Sequence, residues 1–191
     1  MSSFYQGVIG TSWAVWVLYW IVSAANVKRT LRREPLHSRA AHFLPMVLAF
    51  GLLAAPPGPD TEFLFARFVP VMTLLQDFAT LMVVSGLLFA VWARVHLGSN
   101  WSGRVTLKEN HELIRTGPYQ LVRHPIYTGL LLAILGTALA LGEWRGLLAT
   151  VMMVISFWRK LQLEEALMRQ TFGDEYRRYC EHTAALIPYV I

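Results

Sequence analysis

At 191 residues the chain suits one compact domain with short loops rather than two separate units. Apolar residues make up 55% of it and charged residues only 15%, against roughly 25% charged in ordinary soluble domains. Mean hydropathy is +0.42, and this composition belongs to an integral membrane protein. The single cysteine, Cys180, excludes an internal disulfide and any cysteine-based zinc site. With no activating neighbour in sequence, it reads as a small helix-face residue.

The opening "MSSFYQGVIGTSW" lacks a basic n-region and a small-residue cleavage site, so it reads as the lead-in to a retained helix. A membrane helix needs about 20 mostly apolar residues to cross roughly 30 Å of hydrocarbon. The first such span is predicted at about 7–25, with Trp13, Trp16, Tyr19 and Trp20 suited to an interface or a packed face. A second, shorter one covers about 40–57 and ends at Pro56 and Pro57; a third covers about 71–93. The apolar run 126–158 is too long for one helix, and "LGEWRG" interrupts it with two glycines and two charges. It is therefore read as a tight helical hairpin, spans four (about 126–141) and five (about 145–158). The tail 161–182 is too polar for lipid but keeps helical spacing, with Gly173 breaking it before "DEYRRYCEH".

Orientation follows from lysine and arginine. Five of them lie between spans one and two, five between three and four, and five after span five. Only Arg67 and Arg145 fall on the other side. The basic excess is thus a topology signal, with the N-terminus outside and the C-terminus cytosolic, and no nucleic-acid partner is expected. The expected fold is an all-α integral membrane domain of five transmembrane helices spanning 1–191.

Concentrated polar chemistry falls in two segments, 96–127 and 159–182, which flank the last hairpin. Folding that hairpin brings both to one cytosolic surface. Each residue has a structural reading of its own. Pro125 fits the first turn of a helix, and Arg123, Tyr119 and Tyr127 fit an interfacial belt. Glu164 and Glu165 fit a solvated face paired with Lys160 and Arg169. Jointly these readings weaken, because anchors need neither a histidine nor paired acids from opposite ends of one hairpin. His111 and His124 are far apart without a Cys or HExxH pattern, so no metal is expected. No GxSxG elbow, GxGxxG fingerprint or Walker A sequence occurs. What remains is a pocket of hydrogen-bonding rings, carboxylates and cations that opens toward lipid, suited to a charged soluble cofactor meeting an amphipathic substrate.

"HELIRTGPYQLVRHPIYTG", followed after an apolar hairpin by "EEALMRQTFGDEYRRY" and "IPYV", resembles the isoprenylcysteine carboxyl methyltransferase family. The broader group includes the membrane phospholipid N-methyltransferases. The resemblance covers about residues 96–190, with spans one to three matching only in character. It implies S-adenosyl-L-methionine as methyl donor, held at the cytosolic surface outside any Rossmann fold by His111, Glu112, Leu113, Ile114, Tyr119, His124, Pro125, Ile126, Tyr127 and Glu164. Where the family has a substrate-associated arginine, this chain has Lys160, with Arg159 beside it. A lysine lacks the planar fork that suits a carboxylate. Arg104 stands where the carboxyl methyltransferases have glutamine.

Methyl transfer from a sulfonium needs position and desolvation rather than a covalent intermediate. A carboxylate acceptor needs only a cation to orient it, here Arg159, Lys160 or Arg123. An amine acceptor must lose a proton, with Glu165 or His124 as base. The expected partners are a lipophilic acceptor and membrane lipids, in a prokaryotic inner membrane or a eukaryotic endoplasmic reticulum. The histidine of "RHP" favours carboxyl O-methylation of an isoprenylcysteine or a similar acceptor, with N-methylation of a lipophilic amine as the alternative. A dinucleotide-dependent sterol reductase has a related C-terminal architecture but a longer chain. A small scaffold or transporter subunit is the non-catalytic alternative, for which Asp77 inside span three is the feature to weigh.

Overall fold

The protein is described here by a computed structural model covering residues 2–24, 30–33, 36–56, 58, 61–98, 101, 106–108 and 113–188. Five long helices carry the architecture: α1 (Ser3–Ser23), α2 (Leu36–Ala54), α4 (Thr73–Leu97), α5 (Pro125–Leu141) and α6 (Trp144–Phe172). A single turn, α3 (Glu62–Phe65), precedes α4, and α7 (Asp174–His182) follows α6. The described chain is all-α in class, as expected, with one short ladder beside the helices. β1 (Thr30–Arg33) and β2 (Thr106–Lys108) pair antiparallel. Two loops meeting on one face satisfy part of each other's backbone in this way.

The core is organised by side-chain size. On α4, Ala79, Val83, Ala90 and Ala93 are fully buried with Gly86 among them, while Leu74, Leu81, Leu88 and Val95 are each more than 60% exposed. Small residues face the bundle and large apolar ones face outward, as lipid permits and water does not. The facing stripe on α5 is Gly129, Ala133, Gly136 and Ala140. Gly86 and Gly129 meet backbone to backbone: a Cβ added at Gly129 would lie 2.4 Å from the Gly86 carbonyl oxygen. α4 and α6 are long and apolar enough to cross a membrane by themselves, while α5 and the 38–54 part of α2 are shorter apolar helices.

α5 ends at Leu141 and α6 begins at Trp144, with Gly142 in the left-handed region between them. At this end Arg145 donates to the carbonyls of Leu53 and Ala55 at the close of α2, and pairs with Glu143 at 2.6 Å. Asp77 lies at the same end of the bundle, where it accepts a hydrogen bond from the Tyr5 hydroxyl of α1 (2.7 Å). It is thus a helix-paired acid far from the polar cluster. α6 does not stop where its apolar run ends. Its 29 residues extend about 43 Å, longer than a bilayer core of roughly 30 Å. Gly173 then breaks it, at φ +51°.

Candidate active site

The polar residues converge where α6 outruns its apolar section. Lys160, Glu164, Leu167 and Met168 recur at helical spacing and line one cavity of about 530 Å³. Leu161 and Glu165 occupy the adjacent stripe and are buried behind that wall. Arg159 points outward, exposed, and does not line the cavity. Helical phase therefore separates three neighbouring candidates: Lys160 faces the cavity, while Arg159 and Glu165 do not.

The opposite wall comes from the start of α5. The 3-10 turn Gly117–Gln120 delivers Tyr119. Gly117 has φ +59°, and a Cβ there would lie 2.8 Å from the His96 ring, so glycine alone fits. His96 bonds the Thr116 hydroxyl (2.7 Å) and stacks on Tyr119. Pro125 opens α5 and puts His124 and Tyr127 side by side, their rings parallel within 4° at 5.5 Å. Phe157 of α6 also stacks on Tyr127, at 4.8 Å.

Glu164 is the hub. Its Oε1 accepts from the Tyr127 hydroxyl (2.7 Å) and lies 3.9 Å from Lys160 Nζ. Its Oε2 is 3.6 Å from His124 Nδ1. Lys160 Nζ also stands 5.4 Å above the Tyr127 ring. Behind this wall Glu165 accepts from Arg123 Nε (2.8 Å), pairs with Arg123 Nη2 (2.7 Å) and accepts from Arg169 (2.6 Å). His124 Nε2 approaches it at 3.4 Å. Burial would raise the Glu165 carboxyl, but hydrogen bonds from His124 and Arg123, with their charges, hold it down at about 2. A carboxylate so held is a poor base at neutral pH. Burial, reinforced by the Glu164 charge, pushes the Tyr119 hydroxyl up, and burial likewise raises the Cys180 thiol. Neither is poised to ionise.

The chain's last described segment straps this arrangement together. Four successive carbonyls accept from the start of α5. Thr183 takes Arg123 Nη1 and Ala184 takes the Arg123 amide (2.8 Å). Ala185 takes the His124 amide (3.0 Å) and Leu186 the Thr128 hydroxyl (2.7 Å).

The Glu165 network has a pH consequence. A carboxyl depressed from 4.5 to about 2 stabilises the fold fully above the unfolded value and loses that contribution as pH falls through the folded one. Acidification from about pH 5 to about pH 2 should therefore remove on the order of 3 kcal/mol. Thermal unfolding of Glu165→Gln across this range should show a smaller acid loss than wild type. Parallel profiles would refute the assignment.

Of the ten cofactor positions expected from sequence, Leu113, Ile114, Tyr119, His124, Pro125, Ile126, Tyr127 and Glu164 all line this one cavity. His111, Glu112 and Arg104 lie outside the described residues. Sequence reasoning missed the apolar limb contributed by Trp16 and Trp20 of α1 and Phe43, Met46 and Phe50 of α2. The i, i+4 and i, i+3, i+7 spacings were available as a signal, but apolar neighbours on every side concealed them. Trp101 also lines the cavity, and buried Arg94 supports it, its guanidinium 4.4 Å from the ring centroid.

A helical bundle with an outward apolar surface and a cavity that carries both polar and apolar side chains defines a membrane-embedded class of protein. Residues 75–175 match the phospholipid methyltransferase family profile, and the chain belongs to that family. The match begins in α4, earlier than the motifs at 96–190 suggest. The chain is 29% identical over 119 residues to protein-S-isoprenylcysteine O-methyltransferase A of Arabidopsis thaliana, covering 61% of this chain and 60% of that one. It is 33% identical over 104 residues to the Schizosaccharomyces pombe protein-S-isoprenylcysteine O-methyltransferase, covering 51% and 43%. The chain thus spans about 60% of the length of the plant relative. Its fold resembles that of the eukaryotic intramembrane Ras methyltransferase ICMT, with TM-score 0.56 at 19% identity, over 84% of this chain and 55% of that one.

Proposed function

We propose that this protein is a membrane methyltransferase that uses S-adenosyl-L-methionine to methylate a lipophilic acceptor, by carboxyl O-methylation of an isoprenylcysteine or similar compound. The observation that carries this reading is one cavity lined both by Glu164, Tyr127 and His124 and by the apolar side chains Trp16, Phe43 and Phe50. In this reading all five long helices cross the bilayer, with the N-terminus outside and the site at the cytosolic face, in line with the lysine and arginine distribution.

The residues present fit the cofactor. Tyr119 supplies ring surface for an adenine or a sulfonium, whereas the Tyr127 ring is already covered by His124, Phe157 and Lys160 and offers its hydroxyl to Glu164. Glu164 keeps lone pairs beyond the one given to Tyr127. When bound, S-adenosyl-L-methionine supplies an activated methyl group. Lys160 orients an anionic acceptor as a point charge over the Tyr127 ring, without the fork of an arginine. The Phe157, Leu130 and Tyr127 walls exclude water from the acceptor. Glu165 acts by position: it holds Arg123 and His124 in place rather than taking a proton.

N-methylation of a lipophilic amine is the second reading, favoured by the family to which the chain belongs. There His124 or Glu164, both on the cavity wall, would accept the proton. Product chemistry separates the two, since a methyl ester is released by base and a methylamine is not.

The test is calorimetric titration of the detergent-solubilised protein with S-adenosylhomocysteine. Wild type is expected to bind in the micromolar range, and Glu164→Ala and Tyr127→Ala each to lose about tenfold or more, a loss of about 1.4 kcal/mol. A folded wild type that does not bind would sink the methyltransferase reading.

A further inference from the structure

We propose that Phe50, braced by Trp13, forms the floor of the apolar limb and sets the length of hydrocarbon chain that the acceptor can carry. The inference rests on the methyltransferase reading for the identity of the occupant and on geometry for the limit.

α1 packs on α4 and α2 packs on α6, but among the described residues α1 and α2 share no extensive face with each other. The cleft between them is lined by Trp16 and Trp20 on one side and Phe43, Met46 and Phe50 on the other. None of these side chains is ionisable, and the cleft is continuous with the cavity that holds Glu164 and Tyr127. A hydrocarbon tail attached to the reacting group is the occupant that this continuity selects.

The cleft ends where the two helices touch. Trp13 meets the Phe50 ring edge-on at 5.6 Å. Trp13 is itself fixed, because its indole N–H donates to the Thr137 hydroxyl of α5 (3.0 Å), and that hydroxyl donates to the Ala133 carbonyl (2.8 Å). Three helices therefore join at this level. From Phe43 to Phe50 the α2 wall runs about 10 Å. Within that length each added methylene gains about fourfold in affinity; beyond it the next carbon meets the Trp13–Phe50 pair and must turn outward past the half-exposed Phe50 ring, losing that gain.

The test is binding of S-octyl-, S-dodecyl- and S-hexadecyl-N-acetylcysteine to the full chain in detergent, beside S-adenosylhomocysteine. Partition into micelles is common to all variants, so ratios between variants report the protein. Corrected for partition measured in protein-free micelles, wild-type affinity is expected to rise with chain length and then level off within the series. Phe50→Ala should extend the rise to the hexadecyl compound by about 15-fold over wild type, about two methylenes' worth. Phe50→Leu, which disturbs packing less, should extend it in part. Leu18→Ala, on the outward face of α1 at 63% exposure, should follow wild type. The proposal is overturned if both Phe50 variants keep the wild-type profile, if wild type rises through hexadecyl without levelling, or if no analogue binds to protein that binds S-adenosylhomocysteine. A levelling profile that Phe50→Ala extends, without S-adenosylhomocysteine binding, would instead support the ruler and overturn the methyltransferase reading.

Discussion

Arg123→Ala is expected to destabilise the protein by about 3 kcal/mol, the lower end of the cost of orphaning one partner of a buried ion pair. Glu165 is 2% exposed, and Arg123 supplies two of the nitrogens around its Oε1. The same guanidinium holds the Thr183 carbonyl, so the C-terminal strap loosens together with the pair. Arg169 and His124 remain near Glu165, which keeps the cost from rising further. Arg123→Lys should recover only part of the loss, because an ammonium cannot reach Glu165 and Thr183 with one rigid fork. Thermal unfolding in detergent measures both, and a midpoint unchanged by Arg123→Ala would contradict the assignment. Removing both charges, as Arg123→Met with Glu165→Leu, should cost less than Arg123→Ala alone.

Gly129→Ala should be the most damaging single-methyl change in the bundle. The added Cβ would stand 2.4 Å from the Gly86 carbonyl oxygen and 2.8 Å from the Ala90 nitrogen. Both are backbone atoms in helices that cannot yield locally, so α4 and α5 must separate. Overpacking costs about 1–3 kcal/mol where side chains can adjust, and this contact should reach or exceed the top of that range. Tyr127 lies two residues upstream, so the site should shift as well. Gly10→Ala is the control: nothing lies within 4 Å of its added Cβ, and the change should be neutral or stabilising by up to about 1 kcal/mol. Yield of monodisperse protein and thermal midpoint read both. Equal behaviour of the two variants would refute the close α4–α5 contact.

Much of the site was legible because its residues are few, polar and grouped at the ends of one hairpin. "RHPIY" and "EEAL" stand out against apolar flanks, and a short turn between two helices obliges their far ends to meet. The division of labour between Glu164 and Glu165 was not legible. Adjacent residues on a helix differ by about 100° in direction, and only the position of α5 determines which of the two faces the cavity. The same rotation sends Arg159 outward and Lys160 inward. Arg123 read as one of three alternative cations for substrate; it lines the cavity together with Lys160, and its pairing with Glu165 was not legible.

The apolar limb was hidden for a different reason. Hydropathy contrast marks a buried face when the other face meets water, but these helices are apolar all round. Size is the surviving signal: alanine and glycine at 79, 86, 90 and 93 oppose leucine at 74, 81 and 88 on α4. That pattern points to a close helix contact without naming the partner.

The sequence by itself determined the apolar character of the chain, where its apolar runs begin and end, and the polar chemistry gathered at the two ends of one hairpin. Those properties depend on composition and on chain-local spacing. Tertiary structure alone decided which carboxylate lines the cavity, which cation faces it, and that α1 and α2 stand apart to leave an apolar limb closed by Phe50. Those depend on helix rotation and on contacts between segments distant in the chain, where sub-ångström packing rather than hydropathy selects the arrangement.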